Sequence, residues 1–209
     1  MGGKVLKNKK IIIIVIIAVI LLAILSFVLF FKNNTAKNLK IGNNTTSQEI
    51  VDFILNISSY EAKIEVNVQS NKNESKYIMK QTYNGEEENC QEVLEPSNIA
   101  GVKIIRSGNT LKLENTALNL TSIFENYQYM ADSCLDLSSF IKDYKQDEKA
   151  SWEENDKQII MQARTQATTN RQRILYINRQ TGKPEKMELQ DANKKTVIYI
   201  LYNEITVNS

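Results

Sequence analysis

The stretch YEAKIEVNV (residues 60–68) alternates apolar and polar side chains from its first residue to its last. Successive side chains of a strand point to opposite faces of a sheet, so this alternation predicts a strand with one buried and one solvated face. A polar turn at residues 70–73 leads into a second such stretch at 74–83, with Tyr77 and Met79 on the inward side. Together the two stretches predict an antiparallel sheet.

The rest of the chain supplies further strands and two helices. A capping box at residues 46–49 starts the first helix, and apolar side chains repeat with helical spacing again at 135–145. Residues 196–202 are apolar on both faces, which predicts a central strand. We expect a mainly β (α+β) fold, a curved antiparallel sheet or half-barrel of about nine to eleven strands covered by helices on one side. The other predicted strands are residues 90–95, 102–107, 110–115, 151–154, 157–164, 173–178 and 186–190.

Residues 11–31 form an apolar run in which Ser26 is the only polar side chain. As a helix this run spans about 30 Å, the thickness of the hydrocarbon core of a membrane. A cleaved signal peptide has a shorter apolar run of about 7–15 residues and ends at a small-residue cleavage site, which is missing after this run. We therefore predict a retained transmembrane anchor.

The anchor divides the chain into four parts. Four lysines lie in the ten residues before it, and this excess favours a cytoplasmic N-terminus at residues 1–10. Residues 32–45 form a polar linker rich in Asn and Thr, and residues 46–209 form an extracytoplasmic domain. The predicted location is a cell membrane, crossed once, with the C-terminal domain outside.

The composition excludes several functions. The 209 residues include no histidine, which removes the usual general base and the histidine ligands of zinc and iron sites. Five of the 26 lysines and arginines lie in residues 1–32, so residues 33–209 carry 21 of them against all 24 acidic groups, a net charge of −3. That balance supplies no basic face for nucleic acid. We predict no enzyme activity, no cofactor, no metal and no nucleic-acid partner.

Two small sets of side chains remain as candidate sites, and each has two interpretations. In one interpretation, Cys90 and Cys134 form a disulfide in an oxidising compartment. In the other, they are two small apolar side chains in the core. Four of the five arginines flank one predicted hairpin, either as a patch for an acidic partner or as solubilising charge. They are Arg164, Arg171, Arg173 and Arg179.

Four segments resemble the germination lipoprotein S family of spore-forming clostridia, within the wider superfamily of lipoprotein-carrier-like proteins. They are residues 60–68, 74–83 (ESKYIMKQTY), 92–115 (EVLEPSNIAGVKIIRSGNTLKLEN) and 181–204 (TGKPEKMELQDANKKTVIYILYNE). The resemblance implies a half-barrel whose concave apolar face is covered by helices. It also implies a non-enzymatic spore-envelope protein that binds and licenses a cortex-modifying N-acetylmuramoyl-L-alanine amidase for germination. Lipoproteins of the family attach through a cysteine, and residues 11–31 take its place in this chain.

Two functions remain open. One is a membrane-anchored adaptor that binds a partner protein outside the membrane. The other is a lipid- or lipoprotein-binding carrier or sensor that uses the concave apolar face, formed by Tyr60, Ile64, Val66, Tyr77 and Met79. A carrier has to move between membranes, which a transmembrane anchor prevents, so the sequence favours the adaptor.

An open sheet also keeps two edge strands, whose unpaired backbone groups can pair with another chain. Residues 102–107 and 173–178 contain no proline. We predict that the domain associates through such a strand edge or through an exchanged hairpin, either with the partner protein or with a second copy, which would give a homodimer.

We expect the full-length protein to resist extraction with alkaline carbonate, because residues 11–31 stay in the bilayer. Protease added from outside should shorten the protein from its C-terminal side, since the positive-inside rule puts that domain outside. Membrane fractionation followed by mass spectrometry of the fragments measures both. Quantitative release of a form that starts beyond residue 31 would contradict the anchor.

Overall fold

The computed structural model describes residues 45–69, 73–85, 88–125, 135–165 and 171–209. These residues form two helices, α1 (Ser47–Leu55) and α2 (Leu137–Gln146). They also form eleven strands: β1 (Ser59–Gln69), β2 (Glu74–Asn84), β3 (Glu88–Glu95), β4 (Val102–Ser107), β5 (Thr110–Asn115), β6 (Leu120–Phe124), β7 (Ser151–Glu154), β8 (Gln158–Arg164), β9 (Gln172–Asn178), β10 (Pro184–Gln190) and β11 (Thr196–Asn208).

All eleven strands belong to one antiparallel sheet, in the order β6-β5-β4-β3-β2-β1-β11-β10-β9-β8-β7. The chain runs from the centre of the sheet out to β6, continues through α2 to β7 at the opposite edge, and returns to the centre. Short turns join most neighbours. Gly108, in the turn between β4 and β5, has φ +53°, a conformation that glycine adopts without strain.

The centre of the sheet is the pairing of the first strand with the last. β1 and β11 pair from Ser59 opposite Asn208 to Val68 opposite Ile198, with a register shift next to Lys63. On their other sides, β1 pairs with β2 and β11 pairs with β10. The prediction that residues 196–202 form a central strand is therefore confirmed.

The core lies on one face of this sheet. We define the inner face as the one that carries Tyr60, Ala62, Ile64 and Val66, which are buried, while the side chains that alternate with them are exposed or half-buried. Apolar residues of both helices, among them Ile54 of α1 and Phe140 of α2, belong to the same core. The helices thus cover the inner face, and most side chains of the opposite, outer face are exposed or half-buried.

Helix α1 begins at the predicted capping box. The Thr46 backbone N–H donates to the Glu49 carboxylate at 2.8 Å, and the Glu49 N–H donates to the Thr46 hydroxyl at 3.2 Å. The hydrogen bonds from Thr46 lower the pKa of Glu49. Both bonds satisfy backbone groups that a helix leaves open at its first turn.

The predicted fold class is confirmed for the domain, since the described residues form a mainly β, curved antiparallel sheet with two helices. β6 has no counterpart among the predicted strands. All five of its side chains are exposed, so it lacks the buried set whose alternation marks the other strands.

The prediction that residues 102–107 or 173–178 form an edge is wrong. These residues belong to β4 and β9, and each of these strands lies between two neighbours. The edges are β6 and β7. Absence of proline does not identify an edge, because interior strands exclude proline more strictly than edges do.

Among the described residues, no helix has the length and apolar character needed to cross a membrane. The predicted anchor at residues 11–31 lies outside these residues.

Candidate functional site

The five residues predicted to form a concave apolar face do lie together on the inner face. Tyr60, Ile64, Val66 and Met79 are buried, and Tyr77 is half-buried. All five pack in or against the core that α1 and α2 share. Their binding of lipid stays a prediction.

Helix α2 is attached to the inner face by polar side chains at its N-terminal end. Asp136 is buried at the N-cap position, but its carboxylate caps no backbone group of its own helix. Instead it accepts hydrogen bonds from Gln91 on β3 and from Arg106 on β4, the latter at 2.7 Å. Gln81 on β2 donates to the carbonyl oxygen of Leu135 at 3.0 Å. These bonds tie the start of α2 to strands β2–β4.

Two buried tyrosines of the central strands lie near the same helix end. Ser138 makes hydrogen bonds from its backbone and side chain to the hydroxyl of Tyr60. Tyr202 lies opposite Ile64, and its hydroxyl has no hydrogen-bond partner among the described residues. Burial raises the pKa of both phenols, and the nearby Asp136 carboxylate raises it further.

Arg173 on β9 attaches α2 to the other half of the sheet. Its side chain is fully buried and donates to the Ser139 hydroxyl at 2.6 Å, and its Nη2 lies 3.5 Å from a carboxylate oxygen of Asp143. Ser139 and Asp143 are four residues apart and therefore share one face of the helix. Removal of one partner from a buried ion pair costs about 3–5 kcal/mol, so Arg173 and Asp143 depend on each other.

The C-terminal end of α2 is held by Asp147 and Arg164. Asp147 accepts hydrogen bonds from the guanidinium of Arg164, from the Arg164 backbone N–H at 2.8 Å and from the Lys149 N–H at 3.1 Å. The hydrogen bond from the Arg164 side chain is the largest cause that holds the pKa of Asp147 well below its usual range. A carboxylate at the end of a helix opposes the helix dipole, and Arg164 offsets that charge.

The four arginines predicted as a partner patch do not form one exposed patch. Arg173 is buried beneath α2 and is excluded from it. Arg164 and Arg179 are exposed, and each forms an ion pair with a carboxylate of the domain. Arg171 is exposed. Binding of an acidic partner by the three exposed arginines stays a prediction.

No group of three or more His, Cys, Asp or Glu side chains within the described residues is placed to hold a metal ion. Cys90 lies half-buried on β3, and burial raises the pKa of its thiol. Cys134 lies outside the described residues, so the disulfide between the two stays a prediction.

The attachment of α2 by polar side chains is not predicted: Arg164 and Arg173 are assigned to a partner patch, and the other attachments are absent from the predicted sites. The sequence nevertheless carries a signal for part of them. Gln81 and Gln91 occupy inward positions of β2 and β3, and Arg173 does so on β9. A polar side chain at an inward position requires a buried hydrogen-bond partner. Polar residues at these inward positions are therefore the signal in the sequence. Asp136 stands where an N-cap is expected, so its sequence position predicts capping and hides its contact with the sheet.

A comparison with protein families assigns the chain. Residues 8–209 match the family model described as sporulation protein YdcC-like. The chain belongs to the YdcC-like sporulation family. The predicted resemblance to spore proteins is confirmed by this match. No curated protein matches the chain.

Solved structures are similar to this family member at low sequence identity. A chain of the complex between the CwlD amidase and the GerS lipoprotein of Clostridioides difficile is 24% identical, with a TM-score of 0.49, over 78% of this chain and 96% of that chain. An uncharacterised conserved protein from Thermus thermophilus is 12% identical, with a TM-score of 0.50, over 78% and 88%. A LolA superfamily protein from Nitrosomonas europaea is 13% identical, with a TM-score of 0.43, over 79% and 94%. The Thermus match supports the fold, and none of these likenesses assigns a function.

Removal of the two buried hydroxyls should have opposite effects on stability. Tyr202→Phe removes a hydroxyl without a described partner and should raise the free energy of unfolding by about 1 kcal/mol, because a desolvation cost disappears. Tyr60→Phe removes the hydroxyl that Ser138 binds and should lower that free energy by about 1 kcal/mol. Urea unfolding followed by the fluorescence of Trp152, the single tryptophan, measures both variants. Effects of the same sign would contradict the conclusion that the Tyr60 hydroxyl has a hydrogen-bond partner and the Tyr202 hydroxyl has none among the described residues.

Asp147→Asn should lower stability at neutral pH and lose this effect in acid. A carboxyl whose pKa is depressed by folding stabilises the protein above its unfolded-state pKa of about 4, and this contribution is lost as pH falls toward the lower folded-state pKa. The difference in unfolding free energy between wild type and variant should be constant above about pH 5 and shrink below about pH 4. Glu148→Gln, which removes the adjacent exposed carboxylate, is the control and should change little. A pH-independent difference for Asp147→Asn would contradict this prediction.

Proposed function

We propose that the protein is a membrane-anchored, non-enzymatic adaptor of the spore envelope, which binds a partner protein outside the membrane. Membership of the YdcC-like sporulation family supports the spore setting. The observation that carries the proposal is the attachment of α2 across the inner face. Because the protein's own helices occupy that face, its contacts with other molecules have to use the outer face, the strand edges or the loops.

The attachments of α2 oppose a function as a carrier. To open the inner face, α2 has to leave both halves of the sheet. That movement breaks the Asp136–Arg106 and Asp147–Arg164 pairs and separates Arg173 from Ser139. Leaving even one buried charge without its partner costs about 3–5 kcal/mol, which is a large part of the stability of a domain of this size. The arrangement in which α2 covers the inner face is therefore strongly favoured.

The proposed partner is a cortex-modifying N-acetylmuramoyl-L-alanine amidase. GerS of Clostridioides difficile forms a complex with the CwlD amidase. A span at residues 11–31 would hold the outer domain close to the membrane, on the side where the cell wall lies. In this role the domain positions or stabilises the enzyme and performs no chemistry itself.

The alternative function is binding of a lipid or lipoprotein on the inner face. It is favoured by two buried polar atoms of that face without a partner among the described residues, the Tyr202 hydroxyl and the Gln81 side-chain oxygen. The tyrosine hydroxyl could donate a hydrogen bond to a polar group of a ligand or accept one from it, and the amide oxygen could accept one. A ligand reaches them only when α2 moves away from the sheet.

Two measurements on the full-length protein in sporulating cells separate these functions. In the first, detergent-solubilised protein is captured and the amidase that co-purifies is quantified by mass spectrometry. The control is a fusion of residues 1–45 to an unrelated fluorescent domain, which keeps the anchor and the linker. The adaptor predicts that the amidase co-purifies with the full chain and not with the control. Equal recovery with both would contradict it.

The second measurement uses a methionine analogue that carries a photoreactive diazirine. Met79, Met161 and Met187 are buried on the inner face, so the analogue reports what lies against that face. The adaptor predicts cross-links from these positions only to other parts of the same chain. Lipid adducts on the peptides that contain them would establish the carrier or sensor instead.

A further inference from the structure

Three neighbouring depressions lie on the outer face at one end of the sheet. The first, of about 750 Å³, lies over the ends of β2, β1 and β11, and the second, of about 440 Å³, over the ends of β11, β10 and β9. The third, of about 480 Å³, lies over the ends of β10, β9 and β8. Glu204 and Thr206 line both the first and the second, and Asn178 and Glu185 line both the second and the third. The three depressions therefore adjoin, and we call them together the outer groove.

The outer groove crosses six consecutive strands of the sheet, in the order β2, β1, β11, β10, β9 and β8. Neighbouring strands lie about 4.8 Å apart, so the groove is about 24 Å long. It is therefore long enough for several units of a chain-like ligand. Because it runs across the strands, its ligand contacts side chains and adds no strand to the sheet.

Most side chains that line the outer groove carry hydroxyl, amide or charged groups. A nucleic acid requires a basic surface, a lipid an apolar one, and a protein interface an apolar centre. The lining fits none of these, since its charges nearly cancel and its polar groups are continuous. The charged side chains are Lys63, Lys80, Lys157 and Lys183 together with Glu61, Glu185 and Glu204.

Polar side chains hold one another in place where the second and third depressions meet. The Glu185 carboxylate accepts hydrogen bonds from Gln158 Nε2 at 2.7 Å and from Asn178 Nδ2 at 2.8 Å. Asn178 Oδ1 in turn accepts from the backbone N–H groups of Gln180 and Thr181, both at 2.9 Å. A carboxylate accepts about four hydrogen bonds, so Glu185 retains acceptor capacity for hydroxyl groups of a ligand. Side chains that are already fixed lose little entropy when a ligand binds.

Donors and acceptors lie side by side where the first and second depressions meet. Glu204 on β11 is opposite Lys63 on β1, and Lys80 on β2 forms an ion pair with Glu61 at 2.7 Å. Removing water from such charges is costly unless the ligand replaces the hydrogen bonds that water made. The hydroxyl groups of a carbohydrate replace them, because a hydroxyl both donates and accepts.

We propose that the outer groove binds a glycan strand built from N-acetylated amino sugars. The hydroxyl and acetamido groups of such a polymer match the amides, hydroxyls and balanced charges of the lining. The choice of this sugar class rests on the proposed function, since the substrate of an N-acetylmuramoyl-L-alanine amidase is a polymer of this kind. An adaptor that holds the strand raises the local concentration of substrate for the enzyme that it binds.

Co-sedimentation with purified, protein-free cell-wall peptidoglycan tests this proposal. The full-length protein is produced in a host that forms no spores and is assayed in detergent, so the proposed partner enzyme is absent. The fusion of residues 1–45 to an unrelated fluorescent domain reports any binding by the anchor and the linker. The competitors are the soluble hexamer of N-acetylglucosamine and the hexamer of glucose, which lacks acetamido groups.

We expect the full chain to co-sediment and the fusion to stay in solution. The hexamer of N-acetylglucosamine should compete about tenfold better than the hexamer of glucose, because glucose leaves polar groups of the groove without a partner. Glu185→Ala and Glu204→Ala should each weaken binding about tenfold, because each removes a charged acceptor of the ligand's hydrogen bonds. The matched control is Glu153→Ala, which removes an exposed glutamate of β7 outside the outer groove and should change the affinity by less than about twofold. Urea unfolding establishes that the three variants are folded.

No co-sedimentation of the full chain, or equal losses of affinity in Glu153→Ala and the two groove variants, would overturn the proposal. Capture of the amidase is measured separately, in sporulating cells. An amidase that is captured by a chain without affinity for peptidoglycan overturns this inference and leaves the proposed function intact. Affinity for peptidoglycan that depends on Glu185 and Glu204, without capture of the amidase, supports glycan binding and overturns the proposed enzyme partner.

Discussion

The pairing of β1 with β11 is the constraint on which the rest of the structure depends. It joins residues at opposite ends of the domain, Ser59 opposite Asn208, and it unites two meanders that otherwise end in unpaired strands. Its inward side chains, among them Ile64, Val66 and Ile200, are completely or almost completely buried. Contacts this distant in sequence require closure of a long loop, so each meander has to gain enough buried apolar surface to offset that entropy. The strands that carry the most central part of the core are therefore also the ones that close the domain.

The same pairing dictates the role of α2. Because both meanders start or end at the centre, β6 and β7 lie at opposite edges, and the chain between them has to cross one face of the sheet. α2 lies in that connection, and it is attached to each half: Asp136 with Arg106, then Arg173 with Ser139, then Arg164 with Asp147. Apolar packing alone tolerates sliding of a helix over a sheet, whereas directional charged hydrogen bonds fix its position. We therefore regard these polar contacts as the determinants of helix placement.

Much of this fold follows from local sequence patterns, and the remainder depends on contacts that local patterns do not contain. The alternation in residues 60–68 and the two apolar faces of residues 196–202 identify the central strands, because burial acts on each strand separately. The identity of a strand's neighbours depends on the whole chain, and for that reason β4 and β9 are mistaken for edges. From the sequence Arg173 is interpreted as hairpin charge, because Asp143 and Ser139, which contact it in the fold, lie 30 and 34 residues away along the chain. β6 escapes notice because exposure on both faces leaves no alternation to detect.

The distribution of charge distinguishes the outer face of β1 and β2 from the β6 strand. On β1 and β2 the outer face carries ion pairs between neighbouring strands, Lys76 with Glu65 at 2.8 Å and Lys80 with Glu61 at 2.7 Å. Such exposed pairs add little stability, about 0–1 kcal/mol each, but a partner laid over them would have to remove their water. β6 presents apolar side chains and uncharged backbone groups, whose burial against a matching strand releases water from apolar surface and satisfies the backbone at once. Among the described residues, desolvation therefore costs less at the exposed apolar side chains of β6 than at the paired charges of β1 and β2.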